Sequence, residues 1–320
     1  SASSANVPSP AKCAMVFATS ELRGVIVGTT PEAAASETHP PVHSLWPAML
    51  LFGSVGAITW AVRGTSGWGG IDGTIVPGMI WWLLWYYLCR RNGIDARGVP
   101  LWLGLGIAIG GELGYGQYVS WIQGNFQAGE EIVPLAPWTG YGWFAICGAA
   151  WAGPGGIVLG WTLSGKASVL RWLARIAVPI GAAYLAWRFV HACPWLFFPK
   201  YSAELYSGEL HKNIERTVYT NTQNFVVFVW WAAALVTAVV QRDRTTVRNG
   251  ALIGFGFLIG FPLSALWCLR YTYAPGYIDW WKMWELNAGL YLGALYALAL
   301  HWDLQQRKDT TGETAPLSTF

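Results

Sequence analysis

The sequence predicts an all-α, polytopic integral membrane helix bundle of about eight transmembrane helices. Three observations predict it. Hydrophobic residues make up 54% of the 320-residue chain and charged residues 12%, about half the charge of an ordinary soluble domain. Eight segments approach the roughly 20 apolar residues that a helix needs to cross a bilayer. The arginines fall in short clusters in every second connection, the pattern that orients membrane proteins. The apolar segments lack the period-two alternation of a membrane β-barrel.

Residues 1–44 are rich in Ala, Ser, Thr and Pro and read as a partly disordered cytoplasmic arm, with no apolar run long enough for a signal peptide. The first span covers residues 45–62 and stops at Arg63. A glycine-rich stretch follows, carrying Gly64, Gly67, Gly69, Gly70, Asp72 and Gly73. Glycines permit tight turns, so Arg63 and Asp72 are expected on a re-entrant turn over the outer mouth of the bundle. The second span, 74–89, contains the uninterrupted run Trp81 to Tyr86 and ends at Arg90 and Arg91.

The third span runs from about 100 to 121 and contains Glu112, about 18 Å from its start at the helical rise of 1.5 Å per residue. A carboxylate at that depth is costly unless it is paired, protonated or facing water, so it marks a functional site by default. Gly106, Gly110 and Gly114 cluster on the opposite face of this helix, with Tyr115 on the Glu112 side. Gln117 and Tyr118 extend the polar patch toward the outer surface.

The fourth span, 142–163, carries small residues four apart at Gly148, Ala152, Gly156 and Gly160. The segment Trp151 to Gly156, with Pro154 inside it, is expected to break the helix, because proline removes a hydrogen bond and broken helices expose backbone dipoles to substrate in transporters. The fifth span, 170–190, ends near Arg188 and His191. Residues 193–224 form the longest polar connection, with surface helices expected over 200–216. The sixth, seventh and eighth spans are 225–240, 250–269 and 284–302, and 303–320 form a cytoplasmic tail. Glu285 opens the eighth span, where a helix dipole favours an acid, and Asn287 falls inside its apolar run. The first, third, fourth, seventh and eighth spans carry small-residue stripes that allow close helix approach, so these five are expected at the centre.

The connections bearing Arg90, Arg91 and Arg97, then Lys166, Arg171 and Arg175, then Arg242, Arg244 and Arg248 alternate with less basic ones. The basic side is expected to be the cytoplasm, with both termini there, in a plasma or inner membrane. The 22 tryptophans fit an interfacial belt plus core packing. Cys193 and Cys268 both fall at outer span ends, where a disulfide can survive.

Several functions are excluded. No basic stripe suits nucleic acid. The five cysteines and five histidines form no CxxC or HExxH spacing, so no metal site and no particular cofactor are implied. Three readings remain. The first is a permease for a small polar solute, proton-coupled through Glu112, with Tyr115, Gln117, Arg63, Asp72, Glu285, Asn287 and Arg188 along the pathway. The second is a membrane enzyme acting on a lipid-linked or glycan substrate at the outer face, with Glu112, Asp72 and Arg63 as catalytic candidates. The third is a non-catalytic scaffold for membrane-protein partners.

Overall fold

The computed structural model describes residues 45–65, 70–91, 113–207, 209–270 and 276–311. The fold is all-α apart from one small hairpin. Helices α1 (Leu45–Thr65) and α2 (Gly70–Arg91) come first. The short α3 (Gly116–Ile122) leads into an antiparallel hairpin of β1 (Asn125–Ala128) and β2 (Glu131–Pro134). Then follow α4 (Pro137–Leu163), α5 (Val169–Ala192), a single 3-10 turn at Pro194–Leu196 and the four-residue α6 (Ala203–Tyr206). Three long helices complete the chain: α7 (Lys212–Val240), α8 (Arg244–Arg270) and α9 (Trp280–Thr311).

Local chemistry sets several boundaries. Pro137 starts α4, where its missing N–H is harmless. The Ser168 hydroxyl accepts the Arg171 N–H at the head of α5 (3.4 Å), and Asp243 accepts the Thr246 N–H at the head of α8 (3.1 Å). Asp279 does the same for α9 through the Lys282 N–H at 3.1 Å. Gly129 has φ of 68°, the conformation that the first residue of a two-residue II′ hairpin turn needs.

Four helices among the described residues are long and apolar enough to cross a membrane: α4, α5, α7 and α8. Two shorter apolar stretches, Leu45–Ala61 and Met79–Leu88, lie in α1 and α2. Of the eight expected spans, four correspond to helices that meet the requirement among the described residues. α9 is longer than any of them but carries Asn287, Tyr291, Tyr296 and His301 in its apolar run. The third span lies outside the described residues up to 112, and its remainder is not one helix, because Leu113, Gly114 and Tyr115 are non-helical before α3 begins. The arm 1–44 and residues 312–320 also lie outside the described residues.

Packing separates centre from periphery. α4 buries 83% of its most apolar window and α5 only 17%. The exposed side chains of α5 include Leu170, Leu173, Ile176, Ile180, Leu185 and Phe189. A soluble monomer rarely leaves so continuous an apolar surface uncovered; hydrocarbon solvates it at no cost.

α4 packs most extensively on α8, and α1 on α9, while α8 and α9 join the two pairs. The small residues make these contacts. A methyl group on Gly156 would sit 2.6 Å from the Asn249 carbonyl oxygen, and one on Gly148 would strike the Phe257 carbonyl. Gly56 and Gly289 face each other so closely that a side chain on either would run into the other's carbonyl. The stripes of the first and eighth spans thus meet backbone to backbone and that of the fourth meets the α8 backbone, where dispersion and weak Cα–H contacts replace a hydrophobic drive, whereas Gly256 and Gly260 of the seventh receive the Leu295 and Tyr291 side chains. Gly106 and Gly110 lie outside the described residues.

Several expectations are corrected. α4 continues through Pro154 without a break, and α5 and α8 likewise run through Pro179 and Pro262. Of the glycine-rich stretch after the first span, residues 63–65 belong to α1 and 70–73 to α2, and residues 66–69 lie outside the described residues. α7 starts at Lys212, so 212–224 continue the sixth span rather than lying over the bundle. Cys193 and Cys268 are free thiols.

Two of the three basic connections share one face; residues 92–112, after Arg90 and Arg91, lie outside the described residues. Gln241 Nε2 donates to the Arg171 carbonyl (3.0 Å), and Arg175 Nη2 pairs with Asp243 (2.7 Å). These bonds tie the α4–α5 connection to the α7–α8 connection. Arg248 pairs with Asp303, bringing the late part of α9 to the same face. α3, the hairpin, residues 193–211 and the start of α9 lie at the opposite end.

Candidate functional site

Among the described residues, Leu113–Tyr115 are non-helical beside the buried centre, and α4 and α7 donate hydrogen bonds to their carbonyls. Backbone carbonyls freed from a helix must find donors when buried. Trp151 Nε1 of α4 donates to the Leu113 carbonyl at 3.1 Å. Asn224 Nδ2 of α7 donates to the Gly114 carbonyl at 2.8 Å, and the Cys147 thiol approaches the same oxygen at 3.9 Å.

A polar network extends from there. Tyr118 of α3 donates its hydroxyl to Asn221 Oδ1 at 3.0 Å and accepts from Asn224 Nδ2 at 3.0 Å. Asn221 Nδ2 donates to the Phe197 carbonyl at 2.7 Å. Tyr118, Asn221 and Asn224 are completely buried. Tyr115 packs among rings, with centroids 5.0 Å from Trp284, 5.4 Å from Phe261 and 5.9 Å from Trp151.

Gln117 stands out in this setting. Both polar atoms of its amide are buried and have no hydrogen-bond partner among the described residues, and Asn224 Oδ1 is in the same condition. A buried amide left unpaired costs about 1–3 kcal/mol, so its persistence in a well-packed bundle asks for a purpose. Gly116, next to it, admits the Arg216 guanidinium from α7, whose Nη2 lies 2.6 Å from where a side chain on Gly116 would begin.

The expected site residues divide into groups. Glu112 lies outside the described residues, immediately before the non-helical stretch. Arg63 falls in the last turn of α1 and Asp72 in the first turn of α2; their side chains lie outside the described residues. Tyr115 and Gln117 belong to the polar break, and Tyr115 touches Trp284, the neighbour of Glu285. Glu285 is only 4% exposed. It accepts from Lys282 Nζ at 2.5 Å and from Trp281 Nε1 at 3.0 Å. No acid occupies the first turn of α9, so the helix dipole is not what accommodates Glu285; the lysine one turn earlier does. Asn287 is half-buried further along α9. Arg188 stands apart on the exposed side of α5, where its Nη1 donates to the Tyr184 hydroxyl at 3.3 Å.

Asn221 and Asn224 were not anticipated. Their signal was present in the spacing of Thr217, Thr220, Asn221 and Asn224, which puts four polar side chains on one helical face. All four are buried.

Beside this network, a cleft of about 840 Å³ opens between α3, the end of α8 and the start of α9. Val119, Gln123, Tyr277, Asp279, Trp280 and Trp281 line it, and Gln123 Nε2 donates to the Cys268 carbonyl at 3.3 Å. Outside the spans, burial pushes the Tyr206 phenol well up from its ordinary pKa, so it stays protonated and donates to the Pro199 carbonyl at 2.9 Å. Among the described residues, no three His, Cys, Asp or Glu side chains group to hold a metal. No protein-family model, no curated protein and no solved structure matches this chain.

Proposed function

We propose that the chain is a permease that binds a small polar solute at the polar break 112–118, with Glu112 as the proton-coupling carboxylate. The unpartnered, buried Gln117 amide beside the non-helical Leu113–Tyr115 carries this reading. Discontinuous helices in transporters present unpaired backbone and side-chain dipoles to solute and ion near the middle of the bilayer. The fixed carbonyls of Leu113 and Gly114 and the Tyr118–Asn224 pair hold such a break rigid, while Gln117 keeps two hydrogen-bonding atoms for a ligand. On this reading the protein sits in the plasma or inner membrane with eight crossings, and the face bearing Arg171, Arg242 and Arg244 is cytoplasmic.

The test is uptake into proteoliposomes of amino acids, sugars and small organic acids, with and without an inward proton gradient. Wild-type protein is expected to accumulate one class in a gradient-dependent way. Gln117→Leu is expected to abolish uptake while raising stability by about 1 kcal/mol, because it removes an unpaired buried amide. Glu112→Gln is expected to leave downhill exchange and remove the dependence on the gradient. Absence of flux for every class, or full uptake by Gln117→Leu, overturns the proposal.

A second reading, an enzyme acting on a glycan or lipid-linked substrate, draws support from the cleft lined by Trp280, Trp281 and Asp279. Stacking rings beside a carboxylate suit a sugar. Turnover of a lipid-linked sugar that is lost in Asp279→Asn would favour it over transport.

A further inference from the structure

We propose that the cleft between α5 and α7 at the non-basic end of the bundle is a binding site for a phospholipid with an anionic headgroup. The site shares Arg216, which also lies against Gly116, with the polar break, but does not depend on the transport reading.

The cleft has a volume of about 740 Å³, within the range of ligand sites. Its α7 wall carries Lys212, Arg216, Tyr219, Gln223 and Val226, spaced four, three, four and three residues apart along one face of the helix. That face grades from two cations, through an aromatic ring and an amide, to a branched aliphatic side chain. A diacyl lipid has the same order of chemistry from phosphate, through glycerol esters, to hydrocarbon. The α5 wall repeats the gradient: His191 and Trp187 line the cleft, and Ile180 and Leu185 on the same helix are exposed apolar residues. Trp187 and Tyr219 stand where interfacial rings gather in membrane proteins.

Two details favour an anion and a lipid together. Lys212 and Arg216 make no ion pair among the described residues, and against Glu215 they leave one net positive charge in the wall. Thr222, in the same cleft, is 9% exposed and its hydroxyl is buried with no partner among the described residues. A donor at that depth, ten residues below Lys212, meets the ester carbonyls of a lipid whose phosphate rests on Lys212 and Arg216. A free anion would satisfy the cations but not Thr222 or the apolar floor at Val218 and Val226.

The experiment is native mass spectrometry and thermal denaturation of the full chain in a nonionic detergent, titrated with phosphatidylglycerol and, separately, with phosphatidylcholine of the same acyl chains. Phosphatidylglycerol is expected to be retained at a defined stoichiometry and to raise the melting temperature; phosphatidylcholine is expected to be retained about tenfold less. Lys212→Gln with Arg216→Gln is expected to weaken phosphatidylglycerol binding about tenfold, and Thr222→Val to weaken it with the charges intact. Lys166→Gln, a control at the opposite end, is expected to leave it unchanged. If the double variant does not fold, Lys212→Gln and Thr222→Val carry the test. Equal retention of phosphatidylcholine, equal loss in the Lys166 control, or displacement of phosphatidylglycerol by inorganic phosphate overturns the proposal.

Discussion

Replacing Arg175 by methionine tests how the basic face is held together. Arg175 and Asp243 side chains are 4% and 8% exposed and lie 2.7 Å apart. Arg175 also donates to Gln241 Oε1 (3.2 Å) and Ser164 Oγ (3.3 Å), and its guanidinium lies 4.9 Å from the Trp172 ring centre. Removing one partner of a buried pair costs about 3–5 kcal/mol. Asp243 would keep two donors, the Thr246 N–H at 3.1 Å and the Thr246 hydroxyl at 2.5 Å, so the low end applies: a loss of about 3 kcal/mol. Adding Asp243→Asn should recover most of it, since asparagine still caps α8 and no buried charge is left alone. The assay is reversible unfolding in mixed nonionic detergent and dodecyl sulfate micelles, followed by tryptophan fluorescence, over the full double-mutant cycle. A coupling energy of at least about 2 kcal/mol is expected. A loss below about 1 kcal/mol in Arg175→Met, or strict additivity, would refute the view that this pair is desolvated and structural.

In the same assay, Gly289→Leu should cost about 3 kcal/mol by prising α9 from α1 at Gly56, whereas Gly181→Ala, with nothing near its missing side chain, should stabilise by up to about 1 kcal/mol. Asn224→Leu should cost about 2 kcal/mol, because the Gly114 carbonyl loses its short donor and Tyr118 loses a partner; faster hydrogen exchange at α3 is the accompanying readout. The Tyr206 phenol, raised by burial, should titrate later than the exposed tyrosines in an absorbance titration. The stability it contributes as a neutral donor is intact below about pH 10 and erodes as pH climbs above that; Tyr206→Phe should flatten this alkaline loss.

Helix existence and the close-packed centre were legible because both rest on local pattern. Apolar length marks α4, α5, α7 and α8, and a glycine every fourth residue marks which faces touch. The position of the break was not legible. Pro154 looked like the stronger disruptor, yet α4 continues through it, with residues 147–161 buried in the bundle. The non-helical Leu113–Tyr115 contain no proline; their carbonyls are held by Trp151 and Asn224, residues 38 and 110 positions away, and no local pattern encodes donors that distant. The hairpin was missed for a related reason, since its four-residue strands alternate too briefly to register as a period. Glu285 was identified as a position but not by its partner, because Lys282 was counted with the loop rather than as a helical neighbour three residues away.

The contrast between α4 and α5 bears on how this sequence can change over time. Along α5, positions such as Leu173, Ile180 and Leu185 ask only for greasiness, and any aliphatic or aromatic residue meets that demand. Along α4, Gly148 and Gly156 admit no side chain at all without moving a neighbouring backbone. Substitution should therefore accumulate freely on one helix and be purged from the other, so that distant kin share the α4 and α8 stripes long after their outer flanks have diverged.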